Sequence, residues 1–76
     1  MTLEMASRKR VFKVVLEPAE ESPTEWYVAT SPNLRGLVTQ GRGVDETIEN
    51  VKDAIGALFK GKPPEYTLEV KVLVPV

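Results

Sequence analysis

Three features of the sequence predict an α+β fold with the element order β-β-β-α-β. An early stretch and a late stretch each alternate apolar and polar residues with a period of two. Between them, a single segment carries its apolar residues at helical spacing. If the first three strands form an antiparallel meander, the helix carries the chain back so that the last strand lies parallel to the first. The expected result is a four-stranded mixed sheet of order 3-2-1-4 with the helix packed on one face.

The first strand is expected over 10–17, where Phe12, Val14 and Leu16 alternate with Lys13, Val15 and Glu17, and Pro18 ends it. Residues 19–24 include Glu20, Glu21, Ser22 and Pro23 and read as an exposed loop. A second strand over 25–31 is rich in aromatic and β-branched residues, and Pro32 then removes a donor that the ladder would need. Asn33 to Gly36 turn the chain into a short third strand over 37–40. That strand is expected to stop at Gly41, with Arg42 and Gly43 as the connector.

Val44, Ile48, Val51, Ile55, Leu58 and Phe59 form one helical stripe, opposite Asp45, Glu46, Glu49, Asn50, Lys52 and Asp53. Asp45 and Glu46 in the first turn and Lys60 near the end suit the helix dipole, and Gly61 is placed to stop the helix. Gly56 in its interior costs about 1 kcal/mol relative to Ala unless something packs closely there. After Pro63-Pro64, Leu68, Val70, Val72 and Val74 alternate with Thr67, Glu69, Lys71 and Leu73 to give the fourth strand. Residues 1–9 show no pattern and are expected to form a flexible tail ahead of a single domain over 10–76.

Seventy-six residues make one small domain, which buries only about 60% of the surface its unfolded chain exposes. The chain has no Cys to form a disulfide and no His to serve as metal ligand or general base. Self-association is the simplest source of further stability. A net charge of −1 argues against a protein built to neutralise phosphates. No apolar run reaches the ~18 residues of a membrane span, and the N-terminus lacks a secretory signal, so a cytoplasmic protein is expected.

The middle of the chain resembles the HicB-like family, the antitoxin half of the HicA/HicB toxin-antitoxin systems together with its stand-alone relatives. Tyr27 and Ala29 match the family's Tyr-x-Ala strand. Pro32, Leu34 and Gly36 match its Pro-Asp-Leu-Pro-Gly turn, and Gln40 and Gly41 match the Gln-Gly before the helix. Within the helix, Glu46, Asn50 and Ala54 match. Gly43 departs from the usual capping Thr or Ser, Thr47 from a small Ala, and Leu37 stands where the family often has Cys.

The resemblance implies a truncated ribonuclease-H-like fold and a non-enzymatic protein that masks a small HicA ribonuclease. In many relatives a DNA-binding segment follows this domain. Here the sequence runs to Val76 directly after the fourth strand, so operator binding by that route is not expected.

Chemistry of the chain's own is not expected, and no cofactor or metal is assigned. A ribonuclease-H site needs carboxylates converging on magnesium, at least one of them from the interior of the first strand. Residues 11–16 offer none, and Glu17, Glu49 and Glu69 would have to share a face. A degenerate metal-dependent nuclease is therefore the least favoured reading. The Ser and Thr residues have no His to activate them. Gly36, Gly41 and Gly43 are spaced for turning, and Asp45 and Glu46 oppose anion binding at the helix start.

Alternation sends Val15, Trp26, Val28 and Leu73 to the sheet face away from the helix, beside Lys13, Glu17, Thr30, Glu69 and Lys71. A single helix covers one face only. The other, with Trp and β-branched residues at its centre, is a candidate protein interface, either for a second copy of the chain or for a foreign toxin. Without a toxin, an orphan homo-oligomeric domain of the same fold is the alternative.

Overall fold

The computed structural model describes residues 10–19 and 25–73. The expected tail, most of the loop after Pro18, and Val74 lie outside the described residues. The elements are β1 (Arg10–Pro18), β2 (Trp26–Thr30), β3 (Val38–Arg42), helix α1 (Gly43–Leu58) and β4 (Tyr66–Val72). They form one four-stranded sheet of order β3-β2-β1-β4. β1 runs antiparallel to β2 and parallel to β4, and β2 runs antiparallel to β3. This is the predicted α+β topology, including the parallel return through the helix.

Register puts the core on one face. Leu16 stands between Ala29 and Val72, and Phe12 stands beside Leu68. Phe12, Val14, Leu16, Ala29, Leu37, Val51 and Ile55 are buried together. Each large member contributes about 1.5–3 kcal/mol by leaving water. Phe12 closes one end of this core: the Phe59 ring lies 6.0 Å from it and the Tyr66 ring 5.3 Å. The Arg10 guanidinium lies 5.6 Å from the Phe12 ring centroid, within cation–π range.

The helix is rotated from the expected stripe. Its buried residues are Thr47, Val51 and Ile55, with Val44, Ile48 and Ala54 packed at the sides. Leu58, expected in the core, is 40% exposed. Thr47 can face inward because its hydroxyl donates to the Gly43 carbonyl at 2.6 Å, which satisfies the buried oxygen.

Strand β3 does not stop at Gly41. It runs through Arg42, and the helix begins at Gly43 without a connector. Gly43 makes this possible with φ +79°, a left-handed conformation that a Thr or Ser adopts only with strain. The N–H of Gly43 donates to the Glu25 carbonyl at 2.6 Å. The carboxylate of Glu46 accepts from the Arg42 N–H at 3.1 Å, four residues back, so a first-turn acid reaches back to the N-cap backbone without any capping hydroxyl.

At the other end, Gly61 is not the residue that turns the helix off. The Lys60 N–H donates to the Ala57 carbonyl and the Gly61 N–H to the Gly56 carbonyl, which together make a Schellman ending with Lys60 in the left-handed position. Lys60 has φ +55°. Glycine is the usual occupant there, so Lys60→Gly should relieve strain and stabilise the domain by about 0.5–1 kcal/mol. A thermal melt should show a rise of a few degrees. No gain would mean that the turn carries no strain. Gly56 has open space where a Cβ would sit, so no close packing offsets its intrinsic cost.

The turn after β2 has a device that turn chemistry alone does not reveal. The side-chain amide of Asn33 accepts from the Lys13 N–H at 2.9 Å and donates to the Val11 carbonyl at 2.9 Å. It thus replaces a strand residue beside β1 just where Pro32 takes the main chain away. The Ser31 hydroxyl donates to the Asn33 Oδ1 at 3.1 Å and accepts from the Leu34 N–H at 3.0 Å, which holds the amide in place.

Candidate functional site

The residues that carry the family resemblance meet geometric requirements of the fold. At Gly41, an added Cβ would lie 2.8 Å from the backbone N and Cα of Thr47. Only glycine lets the helix approach β3 this closely. Gly36 has φ +91° and lies against the Leu58 side chain. Asn50 donates from Nδ2 to the Gln40 carbonyl at 2.8 Å, which ties the helix to β3. Together with Glu46 at the helix start, these residues explain the order of the motif as architecture rather than as a ligand site.

The second face of the sheet can be laid out from the register. Gln40, Val28 and Glu17 form one row across the strands, and Val38, Thr30, Val15 and Lys71 form the next. Trp26 stands beside Arg42, Lys13 beside Glu69, and Val11 beside Thr67. The Leu73 N–H donates to the Leu16 carbonyl at 2.9 Å, which continues the parallel ladder and brings Leu73 level with Glu17. Val15, Trp26, Val28 and Leu73 therefore share this face, and among the described residues no helix is laid over it.

The four differ in exposure from two neighbours that sequence reasoning missed. Val15, Trp26, Val28 and Leu73 are half-buried, whereas Val38 is 68% and Val11 is 45% exposed. Arg42 was missed because the third strand was expected to end before it, whereas the strand runs on through Gly41 to Arg42. Val11, Val38 and Gln40 lie within the expected strands, and the alternation that places Val15 and Val28 on this face places them here as well. The face is a mosaic, with apolar residues separated by Lys13, Glu17, Glu69, Lys71 and Arg42. Arg42 Nε lies 3.5 Å from a Glu25 carboxylate oxygen, in a pair so exposed that it adds little stability.

This arrangement suits protein binding. The apolar positions offer area to desolvate, and charges of both signs beside them discriminate between partners. The carboxylates considered for metal do not share a face: Glu17 and Glu69 are on this side of the sheet and Glu49 is on the helix beyond the other. Among the described residues no three Asp or Glu side chains come together closely enough to hold a metal ion. No described helix is long and apolar enough to cross a membrane. Comparison with protein-family models, with curated proteins and with solved structures found no match.

Proposed function

We propose that this chain is a HicB-like antitoxin-type protein: a non-enzymatic, self-associating cytoplasmic domain that binds and masks a small HicA-type ribonuclease. The observation that carries the reading is the sheet face over which no described element lies, with Val15, Trp26, Val28 and Leu73 at its centre and Val38 and Val11 protruding. The fold adds support, because the motif residues Pro32, Gly36, Gln40, Gly41, Glu46 and Asn50 occur in the family's order and several of them set the helix on β3.

On this reading the open face takes the toxin. Aromatic and β-branched residues anchor the contact, and Glu17 and Glu69 on the same face offer carboxylates to a basic RNA-binding surface. DNA binding is no part of this reading. Trp26→Ala should weaken toxin binding by about 1–3 kcal/mol, as truncation of a buried aromatic anchor does. Val28→Glu should weaken it at least as much by placing a carboxylate in the interface. Both variants should melt like the parent, since neither residue belongs to the buried core.

The test is affinity capture of the chain from cells of its source, read by mass spectrometry, with the two variants alongside. A small basic protein recovered in stoichiometric amount with the parent, and lost with the variants, is the expected result. If copies of the chain alone are recovered while a candidate toxin is expressed, the orphan homo-oligomer becomes the better reading.

A further inference from the structure

The two edges of the sheet are treated differently. On β3, the outward carbonyl of Gln40 accepts from Asn50 Nδ2, and the outward N–H of Arg42 donates to the Glu46 carboxylate. Two helix side chains thus occupy two of the backbone groups that another strand would need, one of the ways proteins blunt an edge. β4 has no such protection among the described residues. Among the described residues its seven positions, Tyr66–Val72, pair only with β1.

The direction of the free groups on β4 follows from its ladder. The Arg10 N–H donates to the Glu65 carbonyl and the Leu73 N–H to the Leu16 carbonyl. In a strand, both backbone groups of a residue point to the same side and alternate along the chain. Thr67, Glu69 and Lys71 therefore bond to β1, while Leu68, Val70 and Val72 direct N–H and C=O to the open edge. Val70 is 36% exposed although it stands beside buried Val14 on the helix side of the sheet, because the helix lies chiefly over β3 and β2.

We propose that two copies of this chain join edge to edge through β4, antiparallel, about a two-fold axis at Val70. The sequence is self-complementary in that register. Val70 meets the second copy's Val70 and Leu68 meets its Val72, each pair exchanging both N–H···O bonds, which is the arrangement of a hydrogen-bonded antiparallel pair. On the opposite face each Glu69 lies directly across from the second copy's Lys71, so that both charge pairs are opposite in sign. A register slipped by one residue would turn apolar residues toward the polar face. The two sheets become one continuous sheet, and their open faces lie side by side.

This proposal rests on the self-association half of the function proposed above and not on its toxin half. The test is the solution mass of the full chain by light scattering and sedimentation. The parent should have twice the 8.4 kDa of one chain. Lys71→Glu sets Glu against Glu in both pairs and should weaken the dimer about tenfold, more at low salt than at high salt. Glu69→Lys combined with Lys71→Glu exchanges the charges and should restore the dimer. Val70→Pro, which removes only an outward donor, should give a folded monomer. Val28→Glu, on the open face, should leave the mass at two chains.

A monomeric parent at its highest soluble concentration would overturn the proposal. So would a Lys71→Glu variant that dimerises like the parent, or a folded charge-exchanged variant that remains monomeric. Dissociation by Val28→Glu as complete as that by Lys71→Glu would instead place self-association on the open face. Loss of toxin binding by a variant that keeps the dimer mass would leave the edge proposal intact.

Discussion

Ile55→Asp should abolish the folded state. Ile55 is fully buried, and the cluster around it, Phe12, Val14, Leu16, Ala29, Leu37 and Val51, is wholly apolar. The substitution removes a buried aliphatic side chain, which costs about 2–5 kcal/mol, and adds a carboxyl group with no hydrogen-bond partner. A domain of this size has a total stability of about 4–11 kcal/mol. The sum consumes most or all of it. Far-UV circular dichroism should show an unfolded chain, whereas Ile55→Val, at about 0.5–1.5 kcal/mol, should melt cooperatively at a slightly lower temperature. A native-like melt for Ile55→Asp would contradict the placement of this helix face in the core.

Gly41→Ala should be the most damaging single-methyl addition in the sheet. The new Cβ would lie 2.8 Å from Thr47 N, Cα and Oγ1, and two of these are backbone atoms in a helix that cannot step aside alone. Overpacking of this kind costs about 1–3 kcal/mol. Here the helix start would have to lift off β3, pulling on the Asn50–Gln40 and Glu46–Arg42 hydrogen bonds. Gly41→Val should be worse. Denaturant melts check both variants, and an alanine variant as stable as the parent would mean that the helix can shift at little cost. The backbone of Gly41 is not in the left-handed region, so the penalty comes from space and not from strain.

These two positions show how legible the chain was. Ile55 was readable because helical spacing and strand alternation both depend only on which residues avoid water. The same patterns led to the correct strand order, since a helix between the third and fourth strands leaves few unknotted ways to close a sheet. Gly41 was readable as a motif residue but not in its role, because the reason for it is a contact with Thr47, six residues on in the helix that lies over β3. The rotated helix stripe has a similar cause: Thr47 counts as polar by composition, yet its hydroxyl is satisfied by the preceding turn, so it can enter the core.

The edges were the least legible part. Asn33 filling a strand position beside β1, and Asn50 and Glu46 closing the β3 edge, are hydrogen bonds between segments far apart or between side chain and backbone. Periodicity carries no information about them. The candidate interface was legible in outline: Val15, Trp26, Val28 and Leu73 lie on one face, while Val11 and Val38, its most exposed apolar members, belong to the same face by the same alternation, and what pattern alone does not give is how exposed each is.

Among the described residues, one face of the sheet has no layer over it and one edge has no partner strand. A small domain with both features is suited to assemble, and the proposed division of labour gives each feature a separate occupant: a second copy along β4 and a toxin across the open face. The edge dimer would double the toxin-binding surface without covering it.

The decisive measurement is RNA cleavage by the captured basic protein, titrated with this chain. The expected result is that cleavage falls to background at one chain per toxin, and that the folded Val28→Glu variant fails to inhibit at the same ratio. Cleavage that continues at saturating amounts of the parent chain, or inhibition by Val28→Glu equal to that by the parent, would contradict toxin masking through the open face.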